Sequence, residues 1–107
     1  MNYKLAKQLR DAGWKSLQEI DDYSLKYEAS QITLSELIDA CGHDFKRLIK
    51  DEEELGYEGV TWIACGYGKD GDSTKPHLEG HGKAKEEAVT KLWLKLNKSN
   101  IDKRQNL

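Results

Sequence analysis

A chain of 107 residues amounts to one domain. With 37% hydrophobic and 34% charged residues and a mean hydropathy of -0.81, it reads as a polar globular chain of the cytoplasm. It has no apolar run near the roughly 18–20 residues that span a bilayer and no charged-then-apolar leader at its start. The balance of 17 basic against 19 acidic residues, formally -2, argues against a dedicated nucleic-acid binder, whose domains carry a strong positive excess.

The first predicted element is a helix over residues 3–12, where Leu5, Leu9 and Ala12 share one face. Gly13 follows as its cap, and Trp14 is expected to fold back onto the core. Residues 15–32 mix Leu17, Ile20, Tyr23, Leu25 and Tyr27 with acids and serine, and read as an irregular linker with one extended piece. Thr33-Leu34-Ser35-Glu36 matches a capping box. It opens a helix over 34–41 whose stripe is Leu34, Leu37, Ile38 and Cys41.

Three extended segments come next. The first is Phe45 to Ile49, the second Val60 to Tyr67 and the third, weaker, Lys75 to Gly82 around His77, Leu78 and Glu79. The acidic stretch Asp51 to Gly59 and the turn Gly68 to Thr74 join them into an antiparallel meander. One sheet face is expected to bury either Val60, Trp62 and Ala64 or the alternate set Thr61, Ile63 and Cys65. A last helix runs over 85–97 on the face of Ala88, Val89, Leu92 and Leu96, with Glu86 and Glu87 in its first turn, as the helix dipole favours. Leu94 falls opposite that stripe. The tail 98–107 carries almost no apolar content and reads as disordered. The resulting fold class is α+β, a three-stranded antiparallel sheet with helices on one face in the order α-α-β-β-β-α. Residues 1–32 form an N-terminal helix and linker, 33–97 an α-β-β-β-α core and 98–107 a tail, within one globular domain.

Few chemical motifs stand out. Gly66-Tyr67-Gly68-Lys69-Asp70-Gly71 matches G-x-G-x-x-G in letters, but no helix follows it to receive a pyrophosphate. Asp70, Asp72 and Ser73 lack the further ligands of a calcium loop. Cys41 and Cys65 read as buried thiols rather than a disulfide. Zinc needs ligands that converge tetrahedrally. His77 and His81 in an extended segment would sit about 13 Å apart, so no metal or cofactor is expected, and His43 and His81 read as solvated turn residues. No nucleophile, base and orienting group fall into a recognisable set, and no catalytic residue is expected. Trp62, Tyr57 and Tyr67 are candidate stacking platforms for bases. They read more simply as core (Trp62) and rim (the tyrosines).

Two resemblances add to this reading. Glu79-Gly80-His81-Gly82-Lys83-Ala84-Lys85-Glu86-Glu87-Ala88 is similar to the approach to the last helix of double-stranded-RNA-binding domains. That resemblance implies an α-β-β-β-α fold and phosphate contacts from Lys83, Lys85 and Lys91. Glu86 and Glu87 depart from it, standing where the family places lysine. The blocks Leu5 to Trp14, Thr33 to Gly42 and Glu86 to Leu96 together resemble a group of small phage and prophage proteins with no assigned activity. That resemblance implies an accessory protein that binds a host or phage protein. The candidate partner contacts are Glu52, Glu53 and Glu54 in the acidic stretch and Leu94 on the last helix, the latter also a candidate homodimer contact. A small-ligand pocket or enzyme site near Trp62 is the remaining alternative. No membrane partner is expected.

Overall fold

In the computed structural model, which describes residues 1–50, 62–66 and 77–105, the chain opens with helix α1 (Tyr3–Asp11). The Asn2 side chain accepts a hydrogen bond from the Leu5 amide at 2.8 Å and so satisfies one of the donors that a helix start leaves without a partner. Leu5, Ala6 and Leu9 form its buried stripe. Gly13, just past the end, takes a φ of 100°, the left-handed geometry that closes a helix without steric cost when there is no side chain. Trp14 then turns into the core ahead of a 3₁₀ turn at Lys15–Leu17.

The stretch 15–32 is not an irregular linker. It holds helix α2 (Asp22–Ser30), capped by Asp21, whose carboxylate accepts from the Ser24 amide at 2.8 Å. Leu25, Ala29 and the following Ile32 are buried, a one-sided i, i+4, i+7 pattern. Tyr23 and Tyr27, pointing outward, blur that pattern when residues are counted by hydrophobicity alone. Arg10 joins the first two helices. Its Nη2 lies 2.7 Å from Asp22 Oδ1 and its Nη1 donates to the Ile20 carbonyl at 3.0 Å. The guanidinium holds the Asp22 carboxyl below its ordinary range.

Helix α3 (Leu34–Cys41) begins as its capping residue predicts: Thr33 Oγ1 accepts from the Glu36 amide at 3.1 Å. A 3₁₀ turn at Gly42–Asp44 leads into the sheet. Strands β1 (Phe45–Lys50), β2 (Trp62–Gly66) and β3 (Leu78–Gly82) pair antiparallel in the order β1-β2-β3. The meander and fold class therefore stand as expected, with one helix more than the sequence reading supplied. The edge strand β1 carries Lys46, Arg47 and Lys50, charges that discourage edge-to-edge pairing. The connections Asp51 to Gly59 and Gly68 to Thr74, together with Val60, Thr61 and Tyr67, lie outside the described residues.

Helix α4 (Lys85–Gln105) crosses the sheet and continues through the segment expected to be disordered. No glycine or proline interrupts residues 98–105, and extending a helix already nucleated costs little. The helix lies unusually close to the strands. A Cβ placed on Gly80 would strike the Ala88 carbonyl oxygen and the Leu92 amide nitrogen. One on Gly82 would come within 2.8 Å of the Ala88 nitrogen, and one on Gly66 within 3.2 Å of the Leu92 side chain. Three glycines thus form the floor on which Ala88 and Leu92 rest. Both are fully buried, in one core with Leu9, Trp14, Leu17, Leu25, Leu37 and Ala64. Trp14 and Trp93 meet edge to face with centroids 5.2 Å apart. The Asn97 side-chain amide donates to the Ala12 carbonyl, tying the far part of α4 to the end of α1.

Because the atoms above Gly80 are helix backbone, they cannot swing aside. Gly80→Ala is expected to lower the unfolding free energy by about 3 kcal/mol, at the upper end of ordinary overpacking. The exposed Ser35→Ala is expected to stay within about 0.5 kcal/mol of the parent; urea unfolding followed by circular dichroism measures both.

Candidate functional site

Strand alternation sends neighbouring residues to opposite faces. Trp62, Ala64 and Gly66 face the helices, as do Leu78, Gly80 and Gly82. Trp62 and Ala64 of the first expected set are therefore the ones under the helices, while Val60 lies outside the described residues. Ile63 and Cys65 belong to the other face, yet both are buried. The register places Cys65 opposite Glu79 and Ile63 opposite His81 across β2 and β3, with Arg47 opposite Cys65 on β1. Directly paired residues project to the same side, with Cβ atoms about 4.5–5.5 Å apart. His77, two residues before Glu79, joins the same side.

This register assembles a polar row. Glu79 Oε1 lies 3.0 Å from His77 Nε2, and Glu79 Oε2 lies 2.8 Å from His81 Nε2. One carboxylate therefore spans both rings, which is how residues about 13 Å apart along a strand come to share a group. His81 is part of β3 and partly buried, not a solvated turn residue. The hydrogen bond from His81 holds the Glu79 carboxyl below its ordinary range; partial burial opposes this and His77 adds to it. The Cys65 sulfur, a His77 ring nitrogen and a Glu79 oxygen all fall within 4.8 Å of one another, and among the described residues they form the one such group of three. Sulfur, imidazole and carboxylate are the donor types of a zinc-like site.

Cys41 differs from Cys65 in its surroundings. Burial pushes its thiol up to about 12, with the Asp44 charge adding to the effect. At neutral pH it is a protonated, apolar core residue. His43 is exposed in the turn after α3.

The sequence-derived contact residues are distributed elsewhere. Glu52, Glu53 and Glu54 lie outside the described residues. Leu94 is half-buried and packs on the core. Lys85 Nζ sits 4.8 Å above the Trp62 ring centroid, a cation–π contact. Lys91 pairs with Glu87 at 3.0 Å one turn back. Lys83 is exposed, and its amide donates to Glu87 at 3.4 Å. Lys85 and Lys91 are thus engaged at or beside α4. Trp62, a candidate stacking platform, is half-buried against the core beneath Lys85, while Tyr57 and Tyr67 lie outside the described residues.

Two surface features escaped the sequence reading. Tyr23 and Tyr27, one helical turn apart on α2, are 97% and 68% exposed. Tyr3 on α1 is also exposed. The i, i+4 spacing of the two tyrosines was legible once residues 22–30 were read as helix. A shallow groove of about 600 Å³ lies where Trp14, Ser16, Glu36, Asp39 and Trp93 meet. Among the described residues no helix is long and apolar enough to cross a membrane. No family model, curated protein or solved structure matches the chain.

The lowered carboxyl of Glu79 gives a sign to its pH dependence. Its contribution is present above the unfolded-state value of about 4.3 and is lost as pH falls through the folded value. The stability difference between the wild type and Glu79→Gln is therefore expected to narrow between about pH 5 and pH 3, as measured by urea unfolding at each pH.

Proposed function

We propose that this chain is a small non-enzymatic accessory protein of phage or prophage origin that acts in the cytoplasm by binding a protein partner through α2. The observation that carries this reading is the exposed pair Tyr23 and Tyr27 on one side of that helix. A tyrosine brings a large apolar ring and a hydroxyl while freezing only two torsions, which is why tyrosine is enriched at the centres of protein interfaces. The opposite side of α2 already buries Leu25 and Ala29, and the Arg10–Asp22 pair anchors the helix start. The rings are thus presented by a helix that is itself held in place, so little ordering cost remains to be met on binding.

Recognition of double-stranded RNA through α4 is less well supported. The order α3-β1-β2-β3-α4 agrees with it, but Lys85 lies on Trp62 and Lys91 is paired with Glu87.

A photo-cross-linking residue at position 23 is expected to give a discrete protein adduct in host cells that survives nuclease treatment. The Tyr23→Ala/Tyr27→Ala variant is expected to unfold within about 0.5 kcal/mol of the wild type, because neither ring is packed. It is also expected to lose at least about tenfold in affinity for the cross-linked protein, since truncating central aromatic anchors costs about 2 kcal/mol or more. An adduct abolished by nuclease would favour the RNA reading instead. Undiminished binding by the double variant would refute the docking surface.

A further inference from the structure

We infer that the sheet face turned away from the helices binds a zinc-class transition-metal ion through Cys65, His77 and Glu79, with His81 as the positioning residue for Glu79. Three donors of different type converge there from two adjacent strands. Cys65 and Glu79 are direct cross-strand partners, and His77 stands two residues along β3 on the same side. Their donor atoms already lie within 4.8 Å of one another. A tetrahedral ion with bonds of about 2.0–2.3 Å needs its ligands about 3.4–3.7 Å apart, so closing the site takes small torsional changes in His77 and Glu79 and no movement of the strands. Both side chains retain that freedom, being 46% and 39% exposed.

The second layer is also in place. His81 Nε2 at 2.8 Å holds the Glu79 oxygen that faces away from His77, as outer-layer partners orient metal-ligating carboxylates. Buried Ile63, opposite His81, gives the row an apolar neighbour. On binding, the Cys65 thiol proton passes to solvent and the sulfur forms the bond to the ion. Glu79 exchanges its hydrogen bond with His77 for coordination, which frees a His77 nitrogen to ligate. Water takes the fourth position. The mixed sulfur, nitrogen and oxygen set selects a zinc-class ion and disfavours magnesium and calcium, which take oxygen ligands.

The test uses the full chain, stripped by chelation and titrated with Co²⁺ and then Zn²⁺. One Co²⁺ per chain is expected, with near-ultraviolet thiolate-to-cobalt charge-transfer absorption and visible bands of a tetrahedral ion, both removed by Zn²⁺. Cys65→Ser is expected to abolish the charge-transfer band, whereas Cys41→Ala is expected to leave it unchanged. His77→Ala is expected to weaken Zn²⁺ binding by more than His81→Ala, whose loss should be about 10–100-fold, as for other outer-layer partners. If Cys65→Ser does not fold, the solvent-accessible His77→Ala and Glu79→Gln decide the matter. Absence of a charge-transfer band in the wild type, its persistence in a folded Cys65→Ser, or unchanged Zn²⁺ affinity in both His77→Ala and Glu79→Gln would overturn the assignment.

Discussion

Helix α4 rests on the sheet at a separation that only glycine permits. Gly80 and Gly82 on β3 and Gly66 on β2 remove the side chains that would otherwise hold the helix away, so Ala88 and Leu92 meet strand backbone. Packing that close leaves no room for adjustment, because interiors are dense and backbone atoms do not rotate out of the way. The rest of the molecule follows from that contact. Leu92 reaches the centre of a core to which α1, α2, α3 and β2 all contribute. The Asn97 amide then meets the end of α1, and Trp93 meets Trp14. Segments distant in sequence are brought onto one helix.

The same contact divides the sheet chemically. With glycines and Ala64 committed to the helix side, the alternate positions of β2 and β3 are Ile63, Cys65, Glu79 and His81. Every polar side chain of β3 therefore projects away from the helices, and the strand register sets Glu79 against Cys65. A shift of one residue in that register would place Glu79 under α4 and destroy both the helix seat and the polar row. Packing on one face and chemistry on the other thus depend on a single register.

The N-terminal part of the molecule works differently. Helix α2 has little amphipathic character and depends on its Asp21 cap, the Arg10–Asp22 pair and the burial of Leu25 and Ala29. Its outer side can carry tyrosines because its stability does not require them. Function, on the reading proposed here, is placed where the fold makes few demands.

Residue patterns alone determined a good deal. The N-cap at Thr33, the stripes of α1, α3 and α4, the closing glycine at 13 and the apolar β-branched and aromatic run of β2 are all local, and local periodicity and capping chemistry are written along the chain. Helix α2 was hidden because its apolar stripe is diluted by Tyr23 and Tyr27. The helical course of 98–105 was hidden because it rests on continuation from α4 rather than on composition. Only the tertiary structure decided which face of β2 meets the helices, that three glycines seat α4, and that Cys65, His77, Glu79 and His81 form one group. The physical reason is that contacts between strands depend on register. Register is selected by the packing of the whole sheet against α4, a sum of interactions between residues far apart in the chain that no local pattern encodes.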